Sequence, residues 1–348
     1  MDYLGGKIEI MDKKINNISF IKTIMMLIIV LYHSMLFFGD QWFEYETPIY
    51  NANYLYNIAL WLSTFHVQTF AMSSGFLFYY LRIEKDKYNN PKNDILKRAK
   101  RLLIPYFFTS LLWAIPITTY YFNYSFKDII INFLFMKNPN QLWFLIMLFL
   151  TFVFFEFFGN KIKISFKNLI IIYVLSTGIG LVMGHIGVNY FQLALSIQYI
   201  LYFYLGGFIY KYKDKITLKQ TILMIIGAAI LYVITLFVNS LNIKVMNYAM
   251  YLIKPLISIF EVTSIYYVCA KIVDNKTINN KIYKIFEDNS FGIYLFHQQI
   301  IYFTIVFLNG FVHPIIQVLI SFIVALSISL LMSILLKKNK VTKLMFGL

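Results

Sequence analysis

Apolar residues along this chain occur in long continuous runs, which are bounded by charged residues, glycine, proline or asparagine. A helix needs about 20 mostly apolar residues to cross a bilayer, and runs of this kind follow one another along nearly the whole sequence. The pattern predicts an all-α integral membrane protein with about ten transmembrane helices in one bundle. The predicted spans are 18–38, 53–81, 102–123, 141–158, 168–185, 190–210, 219–239, 247–270, 289–309 and 312–336.

The segments between and beside the spans are short. The apolar run at 129–136 has too few residues to cross, so we expect it to be interfacial or re-entrant. Gly180 and Gly184 form a G-x-x-x-G in the fifth span, which is a weak signal for helix packing. We expect a single membrane domain over 1–348, with a short cytoplasmic amino-terminal segment (1–17) and a carboxyl-terminal tail (337–348).

Composition supports this class of protein. The chain is 59% hydrophobic and 14% charged, whereas soluble domains carry about 25% charged residues. No soluble catalytic domain fits between the spans, so we expect any chemistry to take place in the bundle itself. The single cysteine, Cys269, excludes an intrachain disulfide and a cysteine-based metal cluster. No set of His, Asp or Glu residues has metal-ligand spacing, and we expect no metal.

The basic residues are distributed unevenly. Most of the 31 lysines and arginines fall in the amino-terminal segment, in alternate loops such as 82–101 and 271–284, and in the tail. Because cytoplasmic loops are enriched in Lys and Arg, both termini are expected in the cytoplasm and the protein in the cell membrane. This distribution explains the net charge of +15 without nucleic acid as a partner.

The first predicted span carries two groups that a bilayer ordinarily excludes, Lys22 and His33. Eleven residues at 100° each place both side chains on one helix face, about 16 Å apart along the axis. An ionisable side chain near the midplane costs about 2.5 kcal/mol or more to insert, so it indicates a functional site. His33 is suited to three roles, a structural hydrogen bond, a proton relay or general-base catalysis. Its position on the same helix face as Lys22 favours a functional role over a purely structural one.

Arg98 and Arg101 share a helical face where a basic loop enters the third span. Two guanidinium groups at a membrane surface are suited to bidentate binding of phosphates. The alternative is a juxtamembrane charge that sets topology and contacts anionic lipid.

Further polar residues lie within other spans. His66 and Ser74 belong to a segment of small and polar residues whose alternative role is close helix packing. Glu261 is an isolated carboxylate that either pairs with Lys254, two turns earlier, or serves as a site carboxylate or proton relay. His297 lies in the ninth span.

Five sequence motifs occur in a recognisable order. They are K-x10-H in the first span, FHxxxFxxSSGFL in the second, KRAKRLLIPY at the third, QLWFL at the fourth and GIYLFH in the ninth. Together they resemble acyltransferase family 3, the multi-pass bacterial acyltransferases that modify cell-surface glycans. The chain looks most like the fucose 4-O-acetylase-like subgroup, which includes capsule and exopolysaccharide O-acetyltransferases, and the resemblance covers about residues 12–340.

The resemblance assigns roles to particular positions. The family's basic-x10-His motif falls on Lys22 and His33, and its R-x-x-R motif on Arg98 and Arg101. The remaining matches are Ser74 in the SGF segment, preceded by His66, and Trp143 in WFL. In the second span Val67-Gln68 replaces the Met-Pro-like pair that is common after that histidine.

The resemblance implies acetyl-CoA as donor and a hydroxyl of a lipid-linked glycan or surface polysaccharide as acceptor. His33 would be the general base, Lys22 would lie near the donor, and Arg98 and Arg101 would bind its phosphates. The alternative is a polysaccharide exporter or flippase-type transporter, which ten spans with buried polar groups also suit. Residues expected to contact substrate or support the site are His66, Ser74, Trp143, Glu261 and His297.

Overall fold

The computed structural model describes residues 2–39, 42–87, 90–122, 125–137, 140–188, 190–241, 244–275 and 280–348. Residue 123, where the third predicted span ends, and parts of the predicted loops 82–101 and 271–284 lie outside these ranges. Within them the regular structure is helical. The α-helices are α1 (Asp2–Leu36), α2 (Asn53–Leu62), α3 (His66–Glu84), α4 (Pro91–Thr109), α5 (Ile115–Phe122), α6 (Phe126–Leu134), α7 (Trp143–Phe158), α8 (Phe166–His185), α9 (Leu193–Tyr212), α10 (Leu218–Ser240), α11 (Lys244–Asn275), α12 (Lys281–Leu308), α13 (Pro314–Lys337) and α14 (Lys340–Phe346).

The predicted all-α membrane bundle is confirmed. Nine helical segments of the described chain are long and apolar enough to cross a membrane, and each coincides with one of the ten predicted spans. The tenth prediction, 53–81, corresponds to the pair α2 and α3. With 19 residues, α3 is about 28 Å long, close to the thickness of the hydrocarbon core.

The second predicted span is broken after Leu62 rather than continuous, and α3 begins at His66. At the break the Ser63 hydroxyl donates to the Leu60 carbonyl at 2.6 Å, and the Thr64 hydroxyl donates to the Trp61 carbonyl at 2.6 Å. Such local side-chain bonds compete with the helical hydrogen bonds of the backbone. The expectation of one long helix is therefore wrong in this respect.

Three further features differ from the sequence prediction or refine it. The helix of the third span begins at Pro91, ahead of the predicted residue 102, because Asn90 caps it by accepting from the Asn93 amide. Arg98 and Arg101 consequently lie within α4. The nine-residue α6 is too short to cross, as expected for 129–136. In the predicted tail, α14 forms a further helix whose Phe346 is buried.

Helices α3 and α9 pack in very close contact near the middle of the bundle. A Cβ atom at Gly75 would lie 1.9 Å from the Phe203 carbonyl oxygen, and one at Gly206 would be blocked by the α3 backbone. Only glycine permits this approach. At the ends of both helices, the Tyr210 hydroxyl donates to Glu84 at 2.9 Å, so α3 and α9 run parallel.

This parallel pair defines two ends of the bundle. The end where α3 and α9 finish and α4 begins is called the basic end, because Arg98 and Arg101 lie near it. The end where α3 and α9 begin is called the far end, and it carries the break between α2 and α3. The most buried spans are those of α12 and α9, whereas α10 is the most exposed to the surroundings of the bundle.

Candidate active site

Most of the predicted site residues line one internal cavity, called here the main cavity, with a volume of about 420 Å³. Helices α1, α3, α4, α7, α9 and α12 contribute to its wall. The cavity runs from the basic end towards the far end of the bundle. Of the predicted site residues, those that line it are Lys22, His33, His66, Ser74, Arg98, Arg101 and Trp143.

The basic end of the main cavity is electropositive. Lys22, Arg98 and Arg101 all line it, and no Asp or Glu occurs among its described lining residues. Glu156 behind the wall faces Arg98, but the cations still outnumber the carboxylates here, and the excess creates a positive potential that attracts anionic ligands. Lys22 of the first predicted span and the two arginines at the start of the third therefore line the same cavity.

The two arginines are not equivalent. Only 15% of the Arg98 side chain is exposed, and its Nε lies 3.7 Å from Oε1 of the fully buried Glu156. The Arg98 guanidinium carbon is 3.4 Å from the centre of the Phe152 ring, a cation–π contact. Arg101 is exposed at the mouth of the cavity. Arg98 is thus anchored in the wall, while Arg101 is accessible to a ligand from outside.

At the other end of the cavity, His33 of α1 contacts His297 of α12. The distance from His297 Nε2 to His33 Nδ1 is 3.1 Å. His297 Nδ1 lies 3.0 Å from the Ile293 carbonyl oxygen and 2.9 Å from that of Tyr294. Because a carbonyl oxygen only accepts, His297 Nδ1 must carry a hydrogen, and the Nε2 of the neutral ring is left as an acceptor.

This assignment fixes the protonation pattern of His33. Its Nδ1 lies 3.0 Å from the Ile29 carbonyl oxygen as well as facing His297 Nε2. Both neighbours are acceptors, so His33 Nδ1 carries the hydrogen and shares it between them. The remaining nitrogen, Nε2, is unprotonated in the neutral ring. His33 therefore has the tautomer that a general base needs.

His66 is buried beside His33. Its Nδ1 lies 2.6 Å from the Leu62 carbonyl oxygen, and its ring centre is 4.5 Å from that of Tyr32. Leu62 is the last residue of α2, so His66 binds across the break in the second span. The break thereby brings a second imidazole to the cavity wall.

Gln141 connects the start of α7 to α12. Its side-chain amide donates to the Leu295 carbonyl at 2.9 Å and exchanges hydrogen bonds with Gln299, while the Tyr294 hydroxyl donates to the Gln141 carbonyl at 2.5 Å. These bonds hold α7 at the point where Trp143 enters the cavity wall.

Glu261 and His297 do not line the main cavity. His297 is fully buried behind His33. Glu261 accepts from Trp61 Nε1 at 3.0 Å and from the Thr64 hydroxyl at 2.6 Å. It therefore contacts the break between α2 and α3 and not His33. Among the ion pairs of the described residues, none joins Glu261 to Lys254.

Comparison with known families identifies the class of this bundle. A family model described as an acyltransferase domain, Acyl_transf_3, matches residues 15–334. The chain belongs to this acyltransferase family. Neither the curated proteins nor the solved structures gave a match. The protein is thus a multi-pass membrane acyltransferase, which favours the predicted enzyme over the exporter or flippase.

Sequence reasoning missed several residues in or beside the wall of the main cavity. Glu156 is an isolated carboxylate in an apolar span, the same signal that drew attention to Glu261. Gln141 lies inside the QLWFL motif but received no role. Tyr199 and Tyr294 also line the cavity, and nothing distinguishes them from the many tyrosines of this chain. Among the described residues, no three His, Cys, Asp or Glu side chains are placed to share a metal ion.

Proposed function

We propose that this acyltransferase transfers an acetyl group from acetyl-CoA to a hydroxyl of a cell-surface polysaccharide or of its lipid-linked precursor. The observation that carries the proposal is the main cavity, which has a cationic end and, at its other end, an imidazole with a free Nε2. The resemblance to fucose 4-O-acetylase-like enzymes supports acetyl as the group and a glycan as the acceptor.

The cavity suits the chemistry of the donor. Coenzyme A carries phosphates at one end and the thioester at the end of a long, largely neutral arm. Arg101 at the mouth and Lys22 further in would bind the phosphates. The wall between Lys22 and His33 includes apolar side chains such as Ile29 and Leu77, which an extended arm can contact. Along α1 this path is about 16 Å long.

The proposed step uses His33 as general base. Its Nε2 removes the proton from the acceptor hydroxyl as the hydroxyl oxygen attacks the thioester carbonyl carbon. The carbon–sulfur bond then breaks, and the leaving sulfur takes the proton back from His33. The products are the acetyl ester and coenzyme A. His297 Nε2 accepts from His33 Nδ1 throughout and stabilises the imidazolium while it exists.

The distribution of basic residues indicates the membrane face from which the donor would enter. The basic end of the bundle carries the lysine- and arginine-rich segment 82–101, and such segments face the cytoplasm. Acetyl-CoA is a cytoplasmic metabolite, so the donor would enter from that side. The enzyme would then lie in the cell membrane with its basic end towards the cytoplasm.

Acetyl transfer by purified protein tests the proposal. With labelled acetyl-CoA and polysaccharide from cells that lack the gene, we expect label in the polysaccharide with the unmodified protein and almost none with His33→Ala. His185→Ala, which alters an exposed histidine at the end of α8, is the matched control and should retain activity. Near-normal transfer by His33→Ala would refute the base assignment.

A cellular measurement separates the enzyme from the transporter. Deletion of the gene should abolish O-acetyl groups on the surface polysaccharide and leave the yield of polymer at the surface unchanged. Retention of unmodified polymer inside the cell would instead indicate export.

A further inference from the structure

A second cavity of about 310 Å³ lies at the far end of the bundle. Helices α9 and α11 begin near it and α10 ends near it, since it is lined by Leu195, Tyr251 and Leu236. Its volume is at the lower end of the range of about 300–1,000 Å³ that small-molecule sites occupy. It is called here the far cavity.

The far cavity adjoins the reactive end of the main cavity. Ser63, at the break after α2, and Tyr199 of α9 line both cavities, so these two side chains stand between them. His33 and His66 line the main cavity on the other side of this boundary. A group that passes Ser63 and Tyr199 from the far cavity therefore enters the part of the main cavity that holds the His33 base.

The wall of the far cavity has the chemistry of a saccharide site. Hydroxyl and amide side chains alternate with tyrosine rings, and hydroxyl-rich rings combine hydrogen bonds through their oxygens with stacking of their C–H faces on aromatic side chains. Lys254 is the one cation, and no carboxylate occurs among the described lining residues. The polar and aromatic members on which the argument depends are Gln68, Gln198, Tyr202, Tyr232, Thr235 and Ser258.

Two buried polar atoms at this wall have hydrogen-bonding capacity left over. Within the described part of the chain, neither Gln68 Oε1 nor Thr177 Oγ1 has a hydrogen-bond partner. Buried polar atoms without partners are uncommon in folded proteins and often mark a site for water or ligand. The far cavity therefore offers more donors and acceptors than the protein itself uses.

The far cavity also opens outwards. Leu236 is 43% exposed and Tyr251 is 54% exposed, and both line it. Because α3 and α9 run parallel, the far cavity and the cationic mouth of the main cavity lie towards opposite ends of the bundle.

We propose that the far cavity binds the acceptor, as a saccharide unit whose hydroxyl passes between Ser63 and Tyr199 to reach His33. Donor and acceptor would thus enter from opposite faces of the membrane, the acceptor from the extracytoplasmic face. This inference rests on the proposed acetyl transfer and adds to it a binding site and a direction of entry.

Kinetics of variants in the far cavity test the binding site. With polysaccharide from gene-deleted cells as the acceptor, Gln198→Leu should raise the acceptor KM about tenfold, the effect of one lost hydrogen bond, and leave the acetyl-CoA KM unchanged. The isosteric Thr235→Val should act in the same direction. Gln220→Leu, at the exposed start of α10, is the matched control and should leave both constants unchanged.

The outcomes distinguish this inference from the proposed function. If the unmodified protein transfers acetyl and both variants keep a normal acceptor KM, the far cavity is not the acceptor site, although acetyl transfer stands. If the unmodified protein transfers no acetyl to the polysaccharide, the proposed function fails and the inference fails with it.

A labelling experiment tests the direction of entry without measuring activity. In a Cys269→Ala background, which removes the single native cysteine, Leu236→Cys places a thiol at the mouth of the far cavity. We expect a membrane-impermeant maleimide added to intact cells to modify it, and the same polysaccharide to slow that modification. Labelling only by a lipid-soluble maleimide would show that the cavity opens to lipid and would overturn the proposal.

Discussion

Arg98 Nε lies 3.7 Å from Glu156 Oε1. This ion pair distinguishes Arg98 from Arg101, which lies on the same face of α4 but has an exposed side chain. The carboxylate of Glu156 is fully buried. A buried carboxylate is stabilised by a facing cation, so Arg98 compensates the charge of Glu156 and links α4 to α7 as well as lining the cavity.

Arg101→Ala should weaken donor binding. Loss of a charge-assisted hydrogen bond to phosphate is expected to raise the acetyl-CoA KM about 10- to 100-fold, with little change in kcat. Initial-rate kinetics with varied acetyl-CoA measure this effect. Lys100→Ala, an exposed neighbour outside the cavity, should have no effect; an equal loss in both variants would indicate general surface charge.

Arg98→Met should destabilise the protein. Removing one partner of a buried ion pair costs about 3 kcal/mol or more, because the other charge stays buried. We therefore expect a lower thermal midpoint of the solubilised protein. Adding Glu156→Gln to Arg98→Met should recover much of that loss. A midpoint that the second substitution lowers further would show that the two side chains act independently.

His297→Ala should reduce kcat and leave the acetyl-CoA KM nearly unchanged. In the proposed mechanism His297 acts through His33, whose Nδ1 hydrogen it accepts. Loss of the corresponding partner of a metal-bound histidine costs about 10- to 100-fold, and we expect a reduction of the same order here. His297→Gln supplies an amide oxygen near the position of Nε2 and should restore part of the activity. Full activity of the alanine variant would exclude a positioning role.

Glu261→Gln should retain most of the activity, whereas Glu261→Ala should lose both activity and stability. The carboxylate accepts from Trp61 and Thr64, and an amide oxygen can replace one of these contacts. The alanine variant leaves Trp61 Nε1 without this acceptor, whereas the Thr64 hydroxyl can still donate to the Trp61 carbonyl. Because Trp61 is 43% exposed, we expect the loss of stability to be about 1 kcal/mol. Assays of acetyl transfer on both variants distinguish a hydrogen-bonding role of Glu261 from a proton relay. A glutamine variant that is stable but inactive would indicate the relay.

Gly75→Ala should lower the thermal midpoint, because its Cβ would lie 1.9 Å from the Phe203 carbonyl oxygen and would force α3 and α9 apart. Overpacking of this kind costs about 1–3 kcal/mol. Gly184→Ala is the matched control, since a Cβ there meets no atom within 4 Å. An equal decrease in both variants would contradict the role of the glycine contact.

Helical periodicity predicted part of the site from the sequence alone. Lys22 and His33 share one face of α1, and Arg98 and Arg101 share one face of α4, so spacing within a single helix was sufficient to place each pair together. The contact between His33 and His297 joins the first helix to the twelfth. Spacing within a helix carries no information about such a contact.

Other features were obscured by ambiguous local signals. The break after Leu62 contains neither glycine nor proline and results from hydroxyl bonds to the backbone, which any Ser-Thr pair can make. The G-x-x-x-G of Gly180 and Gly184 includes a position with open space around it. The closest helix contact lies instead at Gly75 and Gly206, on helices far apart in the sequence.

The hydrogen bonds of His297 have a consequence for the order of events in catalysis. Its Nδ1 hydrogen faces two helix carbonyls, which have no means of passing a proton onward. In the proposed mechanism, a proton taken up by His33 therefore has no relay through the protein in that direction and must leave from the same nitrogen that received it. Acceptor oxygen and donor sulfur must both reach that one nitrogen within a single turnover, so the kinetics should be sequential, through a ternary complex, with no acetylated enzyme to isolate.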